Sequence, residues 1–237
     1  MDLSGMTAMD WAGLVAFAIG WLAYEPVLSV VTRQGGSING HMQVVRRAWM
    51  AAMTVRENRL LDSQLMGHSI NSASFFASAN LLLIAAVGGF LIGGRSVTEL
   101  VGDAPVAEAL RSLVEAKLAL VIVCLVRGFL DFTWSIRQMN YTLALIGATP
   151  EAEQAEAARA AFAEAAERVL NPALTAFSRG VRGYYFALAA AAWMFGGVAL
   201  LAASLAVLAL LIWRQGFSAA AQGIRGSAVH IDGAAHK

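Results

Sequence analysis

Long apolar runs alternate with polar, arginine-bearing segments along this chain, and the runs have the length of membrane spans. They cover residues 11–31, 70–92, 113–136 and 184–213. A helix needs about 20 predominantly apolar residues to cross the hydrocarbon core, and each run meets that length. Lipid cannot satisfy an unpaired backbone amide, so each run is expected to be helical. The pattern predicts an all-α integral membrane protein with four transmembrane helices in residues 1–215. Helical cytoplasmic extensions and a flexible Gly/Ala/Ser-rich tail, residues 216–237, complete it.

The polar segments between the spans also carry a helical period. Val45, Trp49, Met53 and Leu60 recur at helical spacing, and only Gly67 interrupts the approach to the second span. This predicts one long helix protruding from the membrane, bent near Gly67. In the second long connection, Thr149 reads as an N-cap with Pro150 at the first helical position. Glu151 and Glu153 then lie near the positive end of the dipole. That helix is expected to stop before Asn171-Pro172.

Charge sets the direction. Arg33, Arg46, Arg47, Arg56 and Arg59 lie between spans one and two, and Arg137, Arg159, Arg168, Arg179 and Arg182 between spans three and four. The short connection between spans two and three has Arg95 and Arg111 against Glu99, Asp103 and Glu108. The positive-inside rule places both long connections in the cytoplasm and both termini outside, in the inner (plasma) membrane. The tail, with Arg214, Arg225 and Lys237, argues the other way. Trp11, Trp134, Tyr184, Tyr185 and Trp213 sit near span ends as interfacial anchors.

Composition agrees with the pattern. The 237 residues are 58% hydrophobic and 14% charged, with mean hydropathy +0.61; soluble domains carry about 25% charged residues. A net charge of +1 argues against nucleic acid as a partner. The lone Cys124 sits in an apolar run, and His41, His68, His230 and His236 are not at metal-ligand spacing. No phosphate loop, nucleophile elbow or redox cysteine pair is present in the sequence. No catalytic residue, cofactor or metal is expected.

Three residue groups stand out. Glu25, Arg127 and Asp131 are charges inside spans one and three. At about 1.5 Å per residue, Glu25 lies roughly 12 Å from Arg33 and Arg127 roughly 15 Å from Arg137. A charge at the bilayer centre costs about 2.5–3.5 kcal/mol, so these need pairing or water. They form either an ion pathway or a salt-bridge cluster joining the two spans. Gln64, His68, Asn71, Ser74 and Ser78 form a polar stripe down one face of the helix entering span two, with Asn80 deeper. The stripe lines a water-filled path or bonds to neighbouring helices. Gly89 and Gly93, then Ala192 and Gly196, repeat at four-residue spacing and would allow close helix contact, within the chain or between copies.

Ile38-Asn39-Gly40, then Arg46-Arg47-Ala48-Trp49 and Met53, and later Ser135-Ile136-Arg137-Gln138-Met139-Asn140, resemble a family of multi-span membrane proteins of unknown function found in bacteria and plants. The resemblance covers roughly Asn39 to Asn140 and implies a similar span count without a mechanism. Two function classes follow from the residues. One is a homo-oligomeric channel or transporter for ions or small solutes. The other is a non-catalytic accessory or scaffolding subunit that meets other membrane subunits.

Overall fold

The computed structural model describes residues 6–31, 36–93, 105–151 and 155–235, without the side chains of residues 25–27, 29–31, 93, 105–110 and 234–235. Among the described residues all regular structure is helical. The helices are α1 (Ala8–Val31), α2 (Ile38–Thr54), α3 (Leu60–Gly93), α4 (Pro105–Ala148), α5 (Glu156–Ala192), a short 3-10 turn (Trp193–Phe195), α6 (Gly197–Gly216) and α7 (Ala219–Ala235). Two stretches are long and apolar enough to cross a membrane, Leu60–Ile92 in α3 and Gly197–Gly233, which contains α6. A shorter apolar run, Ala8–Tyr24, lies in α1.

The helices form two compact units, and α1, α3, α4, α5 and α6 contribute to both. The first unit holds the described residues of Met1–Val27, Ser78–Leu130 and Gly180–Leu211. Here α1 runs parallel to α6 and antiparallel to α5. A Cβ on Gly13 would lie 2.9 Å from the Gly197 carbonyl oxygen, and one on Gly20 would lie 2.8 Å from Leu208. Against α5, Phe17 and Phe186 meet edge to face with centroids 5.8 Å apart, while Asp10 reaches Trp193. Glycine also brings α4 and α5 together, since a Cβ on Gly183 would sit 3.2 Å from the Gly128 Cα.

This unit corrects the fourth span. Residues 184–213 are not one helix. The chain reverses through the 3-10 turn and Gly196, whose φ of 111° is a conformation that side-chain-bearing residues rarely adopt. Gly197 then enters α6 against the backbone of Met9 and Asp10, where a Cβ would meet atoms 2.4 Å away. The run is continuously apolar, so hydropathy alone could not reveal the turn.

The second unit holds the described residues of Leu28–Ala77, Asp131–Arg179 and Ile212–Lys237. Its core is Met50 and Met53 of α2, Met66 and Ala73 of α3, Met139 and Ile146 of α4, and Ala166, Leu170 and Ala173 of α5. Unbranched methionines fill the gaps left by alanines.

Three further expectations change here. Residues 55–59 break the long helix foreseen from His41 into span two, and Gly67 lies within the continuous helix α3. The Val55 and Arg56 amides bond back to Ala52 and Met53, closing α2, while the Asn58 side chain accepts from the Leu60 amide and starts α3. Thr149 is not an N-cap. α4 continues to Ala148, the Thr149 hydroxyl donates back to the Leu145 carbonyl (2.8 Å), and α5 begins at Glu156.

α5 also passes through Asn171-Pro172 without stopping. An internal proline costs about 3 kcal/mol, but Leu170, Ala173 and Ala176 are fully buried on either side. Packing outweighs that cost. The tail, finally, is helical from Ala219 to Ala235 and lies along α2. Ser218 caps it, accepting from the Ala221 amide at 3.2 Å, and Ala221 and Ala228 are buried. Alanine's helix propensity and small volume account for a helix where composition suggested flexibility.

Candidate functional site

Of the expected charge cluster, the Glu25 side chain lies outside the described residues. Arg127 is on an exposed face of α4. Asp131 is buried, and its carboxylate accepts from Arg179 Nε of α5 at 3.2 Å. Arg179 was read from sequence as a loop residue. Its neighbour Arg182, 9% exposed, lies over the Tyr24 ring at 4.8 Å. Both arginines therefore lie on α5, Arg182 buried and Arg179 with its side chain 38% exposed. Their charges are what hid this helix from a hydropathy reading.

The polar stripe is on the outside of the chain. Gln64, His68, Asn71 and Ser78 are exposed and Ser74 is half-buried. Phe75, 70% exposed, lies among them on the same face. At about 100° per residue, that face continues through Leu82, Ala86 and Gly89, all exposed. Around Gly89 the space is open, so it makes no close packing within the chain. Gly93 lies where no surroundings are described, Ala192 is half-buried and Gly196 serves the reversal. Asn80 points the other way. It is 1% exposed and its amide donates to the Leu125 carbonyl of α4 at 2.8 Å.

The Arg46-Arg47-Ala48-Trp49 run proves to be the polar frame of the second unit. Arg46, 6% exposed, donates to Asn171 Oδ1 at 3.4 Å. Asn171 in turn donates to Glu167, which also takes the Arg47 Nε–H at 3.1 Å. Burial pushes the Arg46 pKa down, whereas the hydrogen bond with Glu167 pushes that of Arg47 up. Trp49 Nε1 donates to Asp62 Oδ1 at 2.7 Å, and Arg56 pairs with the same oxygen. Asp62 is fully buried. Arg59 reaches the Thr149 and Pro150 carbonyls, both at 2.6 Å, and so satisfies the end of α4.

A second buried cluster, in the first unit, escaped the sequence reading. Asp10 is the third residue of a reciprocal cap: its Oδ2 accepts from the Thr7 amide (2.9 Å) and hydroxyl (2.7 Å), and its own amide donates to Thr7 Oγ1. Its Oδ1 accepts from Trp193 Nε1 at 2.6 Å, and the Lys117 ammonium lies 5.6 Å from that indole centroid. The Thr-x-x-Asp cap was legible before an apolar run; the tryptophan and lysine were not. A carboxylate already accepting three hydrogen bonds is a poor base, so this cluster ties helix ends together.

Among the described residues, no three His, Cys, Asp or Glu side chains are grouped to hold a metal ion. The outer face of α3 is left exposed, as are apolar faces of α1, α4, α5 and α6.

No curated protein and no solved structure matches the chain. A family model does, over residues 12–220, which include both motif stretches and the frame residues from Arg46 to Asn171. The chain belongs to the DUF599 family of proteins of unknown function.

Proposed function

We propose that the chain is a multi-pass protein of the inner membrane that works as a homo-oligomer, with the outer face of α3 bordering a polar path for ions or small solutes between copies. Five helices of 20 or more residues, α1, α3, α4, α5 and α6, are long enough to cross. With the reversal at Gly196, five crossings replace four and the termini fall on opposite sides. The conflict in the charge pattern then disappears: Arg214, Arg225 and Lys237 join the two arginine-rich connections in the cytoplasm. α5 tolerates membrane depth because Arg179 and Arg182 meet Asp131 and Tyr24.

One observation carries the oligomer. Asn71 and Ser78 are exposed within the run that begins at Ile70, and Gln64 and His68 continue the same face before it. Polar side chains facing lipid are costly, and facing one another across copies they would be satisfied. Ala86 and Gly89 farther along the face permit close contact there. A second reading, a non-catalytic accessory or scaffolding subunit, is favoured by Phe75, which interrupts the polar face with a ring 70% exposed.

The test is flux of small ions and solutes in liposomes, measured beside the native mass of the assembly. Ser78→Leu should stop flux and leave the mass unchanged. An oligomer that conducts nothing, or a monomer, overturns the channel and supports the accessory-subunit reading.

A further inference from the structure

A groove of about 310 Å³ opens on the second unit between Trp49, Arg56, Leu61, Leu65 and Ser69. Its surroundings are unusually apolar for a surface corner. Val55, Leu60, Leu61 and Leu65 are 59%, 59%, 56% and 45% exposed. Clustered exposed aliphatic residues mark a binding surface. The groove also has two chemically different ends. At one end is the Arg56 guanidinium, beside Asp62 and 38% exposed. At the other is Ser69, whose hydroxyl is turned back onto the Leu65 carbonyl at 3.2 Å and so offers little to a polar ligand.

We infer that this groove holds one anionic phospholipid of the cytoplasmic leaflet, its phosphate at Arg56 and an acyl chain along Leu61 and Leu65 over the Trp49 indole. The inference rests on the membrane reading above, and the direction of the groove suits it. Ser69 immediately precedes the apolar run that begins at Ile70. Asp62, which fixes Arg56, lies seven residues earlier, about 10 Å along α3. A headgroup and interfacial layer is roughly 5–8 Å deep on each side of a bilayer. The cationic end therefore falls at the outer edge of the headgroup layer, where the long Arg56 side chain reaches a phosphate, and the apolar end opens towards the hydrocarbon.

Trp49 is pinned by its bond to Asp62, which presents a fixed aromatic wall. Arg56 keeps its charge partly balanced by Asp62, so the phosphate would join an existing pair. Attraction of this size gives a preference for anionic over zwitterionic headgroups of about fivefold.

The experiment places the full chain in vesicles of phosphatidylcholine, with either brominated-chain phosphatidylglycerol or brominated-chain phosphatidylcholine as the minor component. The difference in fluorescence quenching between wild type and Trp49→Phe isolates the Trp49 signal. Trp49 should be quenched at about fivefold lower mole fraction of brominated phosphatidylglycerol. Arg56→Gln should abolish that preference, and Leu65→Asn, which leaves the Arg56–Asp62 pair intact, should reduce quenching by both lipids. Equal quenching by the two lipids in wild type overturns the headgroup site. Absence of Trp49 quenching in protein that floats with the vesicles overturns the lipid groove alone. Protein that fails to float overturns the membrane reading itself.

Discussion

Replacing Asp62 tests whether the motif tryptophan acts through a buried carboxylate. The Asp62 side chain is fully buried and receives Trp49 Nε1 at 2.7 Å together with Arg56. Asp62→Leu strands an indole N–H, which costs about 1–3 kcal/mol when the donor stays buried. Breaking a fully buried ion pair costs about 3–5 kcal/mol. Arg56, however, is 38% exposed and can turn to water, so its share falls well below that range. The sum is roughly 3 kcal/mol. Asp62→Asn keeps an acceptor for the indole and loses only the charge, about 1 kcal/mol. Thermal unfolding in mild detergent, followed by circular dichroism, reads both. At 2–4 °C per kcal/mol, Tm should fall by about 6–12 °C for Asp62→Leu and about 2–4 °C for Asp62→Asn. Trp49→Phe combined with Asp62→Leu should cost less than the sum of the two, because no N–H is then stranded. If Asp62→Leu melts within a degree of wild type, or the pair is additive, the carboxylate does not hold this corner.

Three more outcomes are expected. In a Cys124→Ser background, an impermeant maleimide should label Met9→Cys in intact cells and leave Ser227→Cys protected; labelling of both would return the termini to one side. Gly197→Val should abolish folded protein, since even a Cβ there meets the α1 backbone at 2.4 Å, whereas Gly223→Ala, in open space within α7, should be neutral or stabilise by about 0.5–1 kcal/mol. Arg46→Met should change stability by less than about 1 kcal/mol, while Asn171→Leu, which leaves Arg46 buried without its acceptor, should lose about 2 kcal/mol in the same melting experiment.

How much of this was legible beforehand depends on which physical signal each element carries. α1, α3 and the apolar part of α6 announced themselves by length and hydropathy. α5 did not, because Pro172, Arg179 and Arg182 each argue locally against a membrane-depth helix, and only packing by other helices compensates them. The reversal at Gly196 was hidden for the opposite reason, being apolar on both sides. Gln64 to Ser78 share one helical phase along α3, but no periodicity can tell whether a face looks inward or outward. Small-residue spacing misled similarly: Gly89 faces open space, while the close approaches fall at Gly13, Gly20, Gly128, Gly183 and Gly197. Those contacts join residues distant in sequence, and no local pattern encodes them. In the Arg46–Trp49 motif, the arginines read as surface charge, whereas Arg46 and the Trp49 partner Asp62 are interior groups.

The central claim is that copies of this protein meet through the outer face of α3. Cysteine cross-linking in native membranes tests it most directly, again in the Cys124→Ser background. Asn71→Cys and Ser78→Cys, one residue at a time, should give a covalent dimer on mild oxidation. Val123→Cys, which is also exposed, on α4 at 52%, should remain monomeric. Dimers at Val123 with none at Asn71 or Ser78 would contradict the account.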